Sequence, residues 1–216
     1  MRRIQGALVA VGAAGALLSG GCELGESSSS HPNSPEVSAA FDAVQEYWIG
    51  RGILSAAETR LVTLGPGDEA DCSTWDIVTQ TWVSQQLTDE SASLAAYCHA
   101  ENAVTVSETS FEAFLGDAAL GGVPPSEGSA IVMAHEWGHE VQLALNPYEY
   151  TPGTAAELQA DCLGGMALQA VAPNVVAGAN TFHMMLGGDS YHGTAQQRAD
   201  SFQHGVAVGD CGIVLP

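Results

Sequence analysis

The chain has 216 residues, 46% of them hydrophobic, and sets 25 acidic side chains against 5 basic ones, for a formal net charge of −20. That apolar share can fill one sizeable core and excludes a disordered tail. The charge repels a phosphate backbone at long range, which argues against a nucleic-acid partner.

At the N-terminus, "MRRIQGALVAVGAAGALLSGGCELGESSSS" opens with two arginines, runs apolar from Gly6 to Leu18, and closes on small residues before Cys22. That is the layout of a secretory signal, too short and too alanine-rich for a lasting membrane span. Residues 1–21 further resemble a bacterial lipoprotein signal, which ends at a cysteine that is lipidated and becomes the mature N-terminus; Ser19 stands where such signals usually carry leucine. The expectation is a protein outside the cytoplasm, anchored to the bacterial cell membrane through lipid on Cys22 and otherwise secreted. Residues 22–36, with "GESSSSHPNSP", read as a flexible tether, and His31 within it carries no function. With Cys22 lipidated, Cys72, Cys98, Cys162 and Cys211 remain, an even set suited to two disulfides in any of three pairings. None has the C-x2-C spacing of a cysteine zinc site.

Residues 37–216 form the expected folded domain. Ser34 is placed to cap a helix with Pro35 at its first position, and Val37, Phe41, Val44 and Trp48 follow at helical spacing until about Gly50. "AVTVS", 103–107, alternates as a strand does, and "IVTQTWV", 77–83, fits strand or helix. Helical patterns dominate from residue 127. The fold class expected is α+β, mainly helical, with a small sheet.

Within the helical half, "MAHEWGHEVQ" contains H-E-x-x-H. Residues four apart on a helix differ by ~40° around the axis and ~6 Å along it, so His135 and His139 can share one ion, with Glu136 on the same side. A catalytic metal needs a third protein ligand and an open position for water. Leu145 stands where the metzincin continuation requires histidine, which excludes that class. After the turn-rich "NPYEYTPG", the segment "TAAELQADCLGGMALQAVA" presents Glu157 and Asp161 on one face of a helix that a short linker can fold back. Glu157 can complete a His2Glu set, and Asp161 can take the second N–H of a ligating histidine. Blander readings exist: Thr154 and Glu157 match a capping box, the histidines could form a solvated face, and Asp161 could be an exposed charge. The apolar neighbours Ile131, Val132, Met133, Val141 and Leu143 favour the metal, because polar groups in a buried helix need partners.

"AHEWGHEVQ", "ELQADCLGG", "YHGTAQQRADSFQHG" and "YCHAENAVTVSETSF", in order across roughly residues 97 to 211, resemble the bacterial neutral zinc metallopeptidase family of the gluzincin group. The resemblance implies a zincin-like domain in which His135, His139 and Glu157 hold Zn2+, Glu136 is the catalytic base, and "AVTVS" is the strand lining the cleft. An exposed edge along Ala103 to Ser107 would then take an extended peptide as an added strand. Glu140 departs from the family, which commonly has histidine there, and is expected to alter polarity near the metal more than binding. The resemblance also suggests Cys72 with Cys98 and Cys162 with Cys211. By chemistry, Tyr191 and His192 are the candidate oxyanion donors. Arg198 is expected to pair with a buried acid such as Asp189 or Asp200, and His183 to be a satisfied core histidine; His99 and His204 carry no assignment. The function expected is zinc-dependent hydrolysis of a peptide or protein substrate. The competing classes are a zinc-binding lipoprotein without hydrolysis, serving as an interaction or assembly module, and a metal-free helical lipoprotein. Glu136, which zinc binding alone does not require, leans toward the enzyme.

Overall fold

The computed structural model describes residues 35–76, 81–91, 94–146, 150–213 and 215. The signal, Cys22, the tether with His31 as far as the Ser34 cap, and residues 77–80 lie outside the described residues, while Pro35 and Glu36, expected to end the tether, instead open the first helix. Helix α1 (Pro35–Gly50) buries Val37, Phe41, Val44 and Trp48, the expected stripe. It packs against the helix that carries H-E-x-x-H, with the Phe41 and Trp137 rings 5.1 Å apart. A short 3-10 turn, Leu54–Glu58, is fastened back to α1 by Gln45, whose Nε2 donates to the carbonyls of Ala56 and Thr59 at 2.7 and 3.0 Å.

Five strands follow: β1 (Arg60–Leu64), β2 (Glu69–Asp76), β3 (Thr81–Thr88), β4 (Ala95–Cys98) and β5 (Ala103–Ser107). The stretch that fitted strand or helix is strand from Thr81 onward. β2 and β3 pair antiparallel as a separate two-stranded ribbon, and the Cys72–Cys98 disulfide ties it to β4. The other sheet has the order β1-β5-β4, with β5 parallel to β1 and antiparallel to β4. This corrects the expected edge along Ala103 to Ser107. That strand is paired on both sides and buried over its whole length, so it offers no edge to an added strand. Its alternation marked a strand correctly, but small and β-branched residues such as Ala103, Val104 and Thr105 equally suit the middle of a covered sheet.

Helix α2 (Glu108–Leu120) starts directly after β5, where Ser107 Oγ accepts from the Ser110 N–H and the Asp89 carboxylate accepts from the N–H and hydroxyl of Thr109. These acceptors satisfy N–H groups that a first helical turn leaves without partners. The remainder is α3 (Pro125–Leu145), α4 (Thr154–Val171), α5 (Val176–Leu186) and α6 (Ala195–Val208). Helix α3 is buried through most of its length, between α1 and α4, and α4 packs in turn on α6.

Two glycines set how closely these helices approach. A Cβ at Gly138 would stand 2.7 Å from both the Cα and the carbonyl oxygen of Ala160, so the α3–α4 crossing requires the glycine inside H-E-x-x-H. A Cβ at Gly205 would collide with the Cys162 carbonyl in the same way, between α4 and α6. Beyond α6, Cys211 closes a disulfide to Cys162 on α4. Both bridges join the cysteines that the resemblance suggested. Among the described residues no helix is long and apolar enough to cross a membrane.

Candidate metal centre

The α3–α4 crossing faces two imidazoles with one carboxylate. His135 Nε2 stands 3.2 Å and His139 Nε2 3.5 Å from the same atom, Glu157 Oε2. One ligand atom from each of the three residues can be chosen so that all lie within 4.8 Å of one another, a group able to hold a metal ion. Glu157 Oε2 is buried and accepts no hydrogen bond. A buried carboxylate oxygen left in that state calls for a cation, and a metal ion in front of the two nitrogens supplies it.

Glu157 reaches this position because it is not spent on capping. Gly153 caps α4 without any side-chain bond, and the Thr154 hydroxyl donates instead to the Ser190 carbonyl at 3.2 Å. A capping box does form on α6, through Thr194 and Gln197.

Behind the two ligands lie different supports. Asp161 Oδ1 is 2.7 Å from His135 Nδ1, and its carboxylate also accepts from Arg198 Nε and Nη2, each at 3.0 Å. This overturns the expected pairing of Arg198 with Asp189 or Asp200. Asp200 accepts from Gln196, while Asp189 binds the backbone N–H groups of Tyr191 and His192. The two acids nearest Arg198 in sequence are exposed, Asp189 in the turn before α6 and Asp200 on the outer face of α6, whereas a buried guanidinium needs a buried anion. His183, fully buried, donates Nδ1–H to the Ala179 carbonyl at 2.7 Å, as a core histidine should, and brings Nε2 within 3.5 Å of Asp161. On the other ligand, His139 Nδ1 lies 3.0 Å from Gln142 Oε1, with the Tyr150 hydroxyl at 3.5 Å.

The site's charges are strongly coupled. Burial alone would push the Asp161 carboxyl up, but the His135 charge and the bonds from His135, His183 and Arg198 hold it well below the ordinary range. Glu157 is likewise lowered against the pull of burial, first by the charge on His139 and then by that on His135, whose Nε2 atoms approach its Oε2 to 3.5 and 3.2 Å. Burial would lower the metal-free His135; Asp161 first, then Glu157 and Glu136, outweigh it and push the imidazole up to about 10. His139 is raised too, with Glu157 overcoming desolvation.

Glu136 is buried and, with His135, His192 and Ala95, lines two adjoining cavities of about 220 and 270 Å³. Glu157, His139, Tyr150, Tyr191 and Trp82 border the smaller one, Leu94, Ile131, Val132, Phe182 and Leu186 the larger. The strand bordering this cleft is β4, through Ala95, Ala96 and Tyr97, rather than the expected 103–107. Trp82 of β3 stacks on Tyr150 at the mouth, ring centres 6.2 Å apart and 16° from parallel. His192 Nε2 lies 3.9 Å from Glu157 Oε2, and its Nδ1 is 2.8 Å from Asp189 Oδ2. Bonds from His192 and the Tyr191 backbone lower the Asp189 carboxyl to about 2. Burial and the nearby Glu157 push the Tyr191 phenol up to about 12.

Glu140 turns away from the imidazoles. Its buried carboxylate accepts from Ser55 Oγ at 2.6 Å and Tyr97 Oη at 2.8 Å.

Sequence reasoning did not find Gln142, Tyr150, Trp82 or the bond from Asp161 to Arg198. For Gln142 the signal was present, since it stands three residues after His139 on the same helical face. No family model matches the chain, and neither a curated protein nor a solved structure matches it.

Proposed function

We propose that this chain is a zinc-dependent peptide hydrolase of zincin-like, gluzincin type, acting outside the cytoplasm on a lipid tether at Cys22. The carrying observation is the convergence of two Nε2 atoms on the unbonded Oε2 of Glu157. Ligands about 2.0–2.2 Å from a tetrahedral zinc stand about 3.3–3.5 Å from one another, and two imidazoles with one carboxylate leave a fourth position for water. The 3.2 and 3.5 Å separations fit that arrangement.

His135, His139 and Glu157 would hold the ion. Bound there, zinc supplies Lewis acidity that acidifies a water and polarises a substrate carbonyl. Glu136 sits where the two cavities meet, so a peptide lying across the cleft brings its scissile bond to this carboxylate. It takes the proton from the attacking water and returns it to the leaving amine. Tyr191, whose raised phenol keeps its proton at neutral pH, can donate to the oxyanion. His192 is the second candidate, its Nδ1 held 2.8 Å from Asp189 Oδ2 and its Nε2 turned toward Glu157.

Metal analysis of the purified chain, together with casein or peptide-library cleavage by wild type and Glu136→Gln, tests this reading. Zinc in both proteins with hydrolysis only in the wild type is the expected result. Zinc with equal behaviour of the two would instead identify a binding module, and absence of zinc would leave a structural helical protein.

A further inference from the structure

We propose that Gln142 is the positioning residue for His139, holding the imidazole as the Nδ1–H form so that Nε2 is presented to the ion. The proposal rests on the metal-site reading above.

The direction of the Gln142 amide follows from its partners. One terminal atom lies 2.7 Å from the Ala156 carbonyl oxygen. A backbone carbonyl only accepts, so this atom is the NH2 nitrogen, Nε2. The opposite terminal atom, 3.0 Å from His139 Nδ1, is then the amide oxygen, which only accepts. His139 must therefore carry its proton on Nδ1.

A second carbonyl fixes the same direction independently. Gln142 Nε2 is also 3.0 Å from a terminal atom of Gln159, whose other terminal atom lies 2.9 Å from the Cys211 carbonyl. By the same rule the Gln159 nitrogen faces Cys211 and its oxygen faces Gln142. Each donor in the series meets an acceptor: His139 to Gln142, Gln142 to Ala156 and Gln159, Gln159 to Cys211. Flipping either glutamine would set oxygen against oxygen beside a backbone carbonyl.

Gln142 is only 2% exposed, so water does not readily replace these partners. The Cys162–Cys211 disulfide fastens the chain at the end of the series to α4. The two imidazoles are thus aimed by different chemistry. His135 answers to an anion, Asp161, and His139 to a neutral amide whose orientation is built into the backbone.

The test compares full-length wild type, Gln142→Leu and Gln142→Glu in three measurements: zinc affinity by chelator competition, unfolding stability, and the NMR signal and exchange rate of the His139 Nδ1 proton. Leucine removes the acceptor, and zinc affinity should fall about 10- to 100-fold, with the Nδ1 proton exchanging freely. Glutamate keeps an acceptor for His139 but disrupts the bonds to Ala156 and Gln159. It should lose stability yet hold zinc within about threefold of wild type. Affinity falling in step with stability in both variants, or an Nδ1 proton unchanged in Gln142→Leu, would overturn the proposal. Should the leucine variant not fold, the glutamate variant decides alone: affinity kept despite lost stability supports the role, and affinity lost with stability refutes it. The proton signal is also read in the metal-free protein. If wild type bound no zinc, the hydrolase reading would fall while the Gln142 result still stood or failed by itself.

Discussion

Asp161 Oδ1 lies 2.7 Å from His135 Nδ1, so the first imidazole of the pair on α3 is aimed by a carboxylate on α4. The same carboxylate neutralises Arg198 on α6 through two bonds of 3.0 Å. Asp161→Asn keeps the shape and removes the charge, leaving a buried guanidinium unpaired. The expected cost is about 3–5 kcal/mol of folding stability, as for breaking a buried pair. Zinc affinity should fall about 10- to 100-fold as His135 loses its orienting anion. Urea unfolding of the metal-free protein and chelator competition measure the two effects.

Proton linkage gives a second expectation. In the metal-free chain His135 is pushed up to about 10, above an unfolded value of roughly 6.5. Its contribution is then complete below about pH 6.5 and is lost as pH rises through the folded value. Glu157 and Asp161 are depressed and run the other way, with contributions present above about pH 4 and lost as pH falls through their folded values. Metal-free protein should lose stability toward pH 10, whereas zinc, by replacing the Nε2 protons, should flatten that decline. Thermal melts from pH 6 to 10 with and without zinc check the first part. Titration calorimetry in two buffers of different ionisation heat should show protons released on zinc uptake at pH 7.

Gly138→Ala tests the helix crossing. The added methyl would meet Ala160 backbone at 2.7 Å, which only a shift of α4 can relieve. Overpacking of this kind costs roughly 1–3 kcal/mol. Because α4 carries Glu157, the shift should also weaken zinc binding, which distinguishes it from ordinary destabilisation when set beside an overpacked site remote from α4.

Replacing Cys162 and Cys211 by serine opens a loop spanning a sequence separation of 49. Chain entropy for a loop of that size corresponds to about 4 kcal/mol. Under oxidising conditions, with Cys72–Cys98 closed in both proteins, the double variant should be less stable than wild type by about this amount, and under reducing conditions the two should converge.

What was legible in the sequence was local. The stripe of Val37, Phe41, Val44 and Trp48 and the i, i+4 pairs His135/His139 and Glu157/Asp161 repeat at the helical period, so each could be read from neighbours a few residues away. Those pairs meet in one site, as the folded-back linker predicted. The sheet was the blind spot. "AVTVS" announces a strand, but whether a strand is central or at an edge depends on partners such as Arg60–Leu64, forty-three residues earlier. The β2–β3 ribbon hid for another reason: "TWVSQQLT" is largely polar and mostly exposed, so it lacks the apolar alternation that marks a half-buried strand. Arg198 shows the same limit in a side chain. Nearness along the chain suggested Asp189 or Asp200, while the anion that burial required was Asp161, thirty-seven residues away.

The stack of Trp82 on Tyr150 makes the mouth of the cleft optically addressable. Trp82 is 38% exposed, whereas Trp48 and Trp137 are sealed in the core. A ligand sliding beneath that indole exchanges water for its own surface and should move the emission colour, which gives an unlabelled readout of occupancy in a variant that cannot turn over.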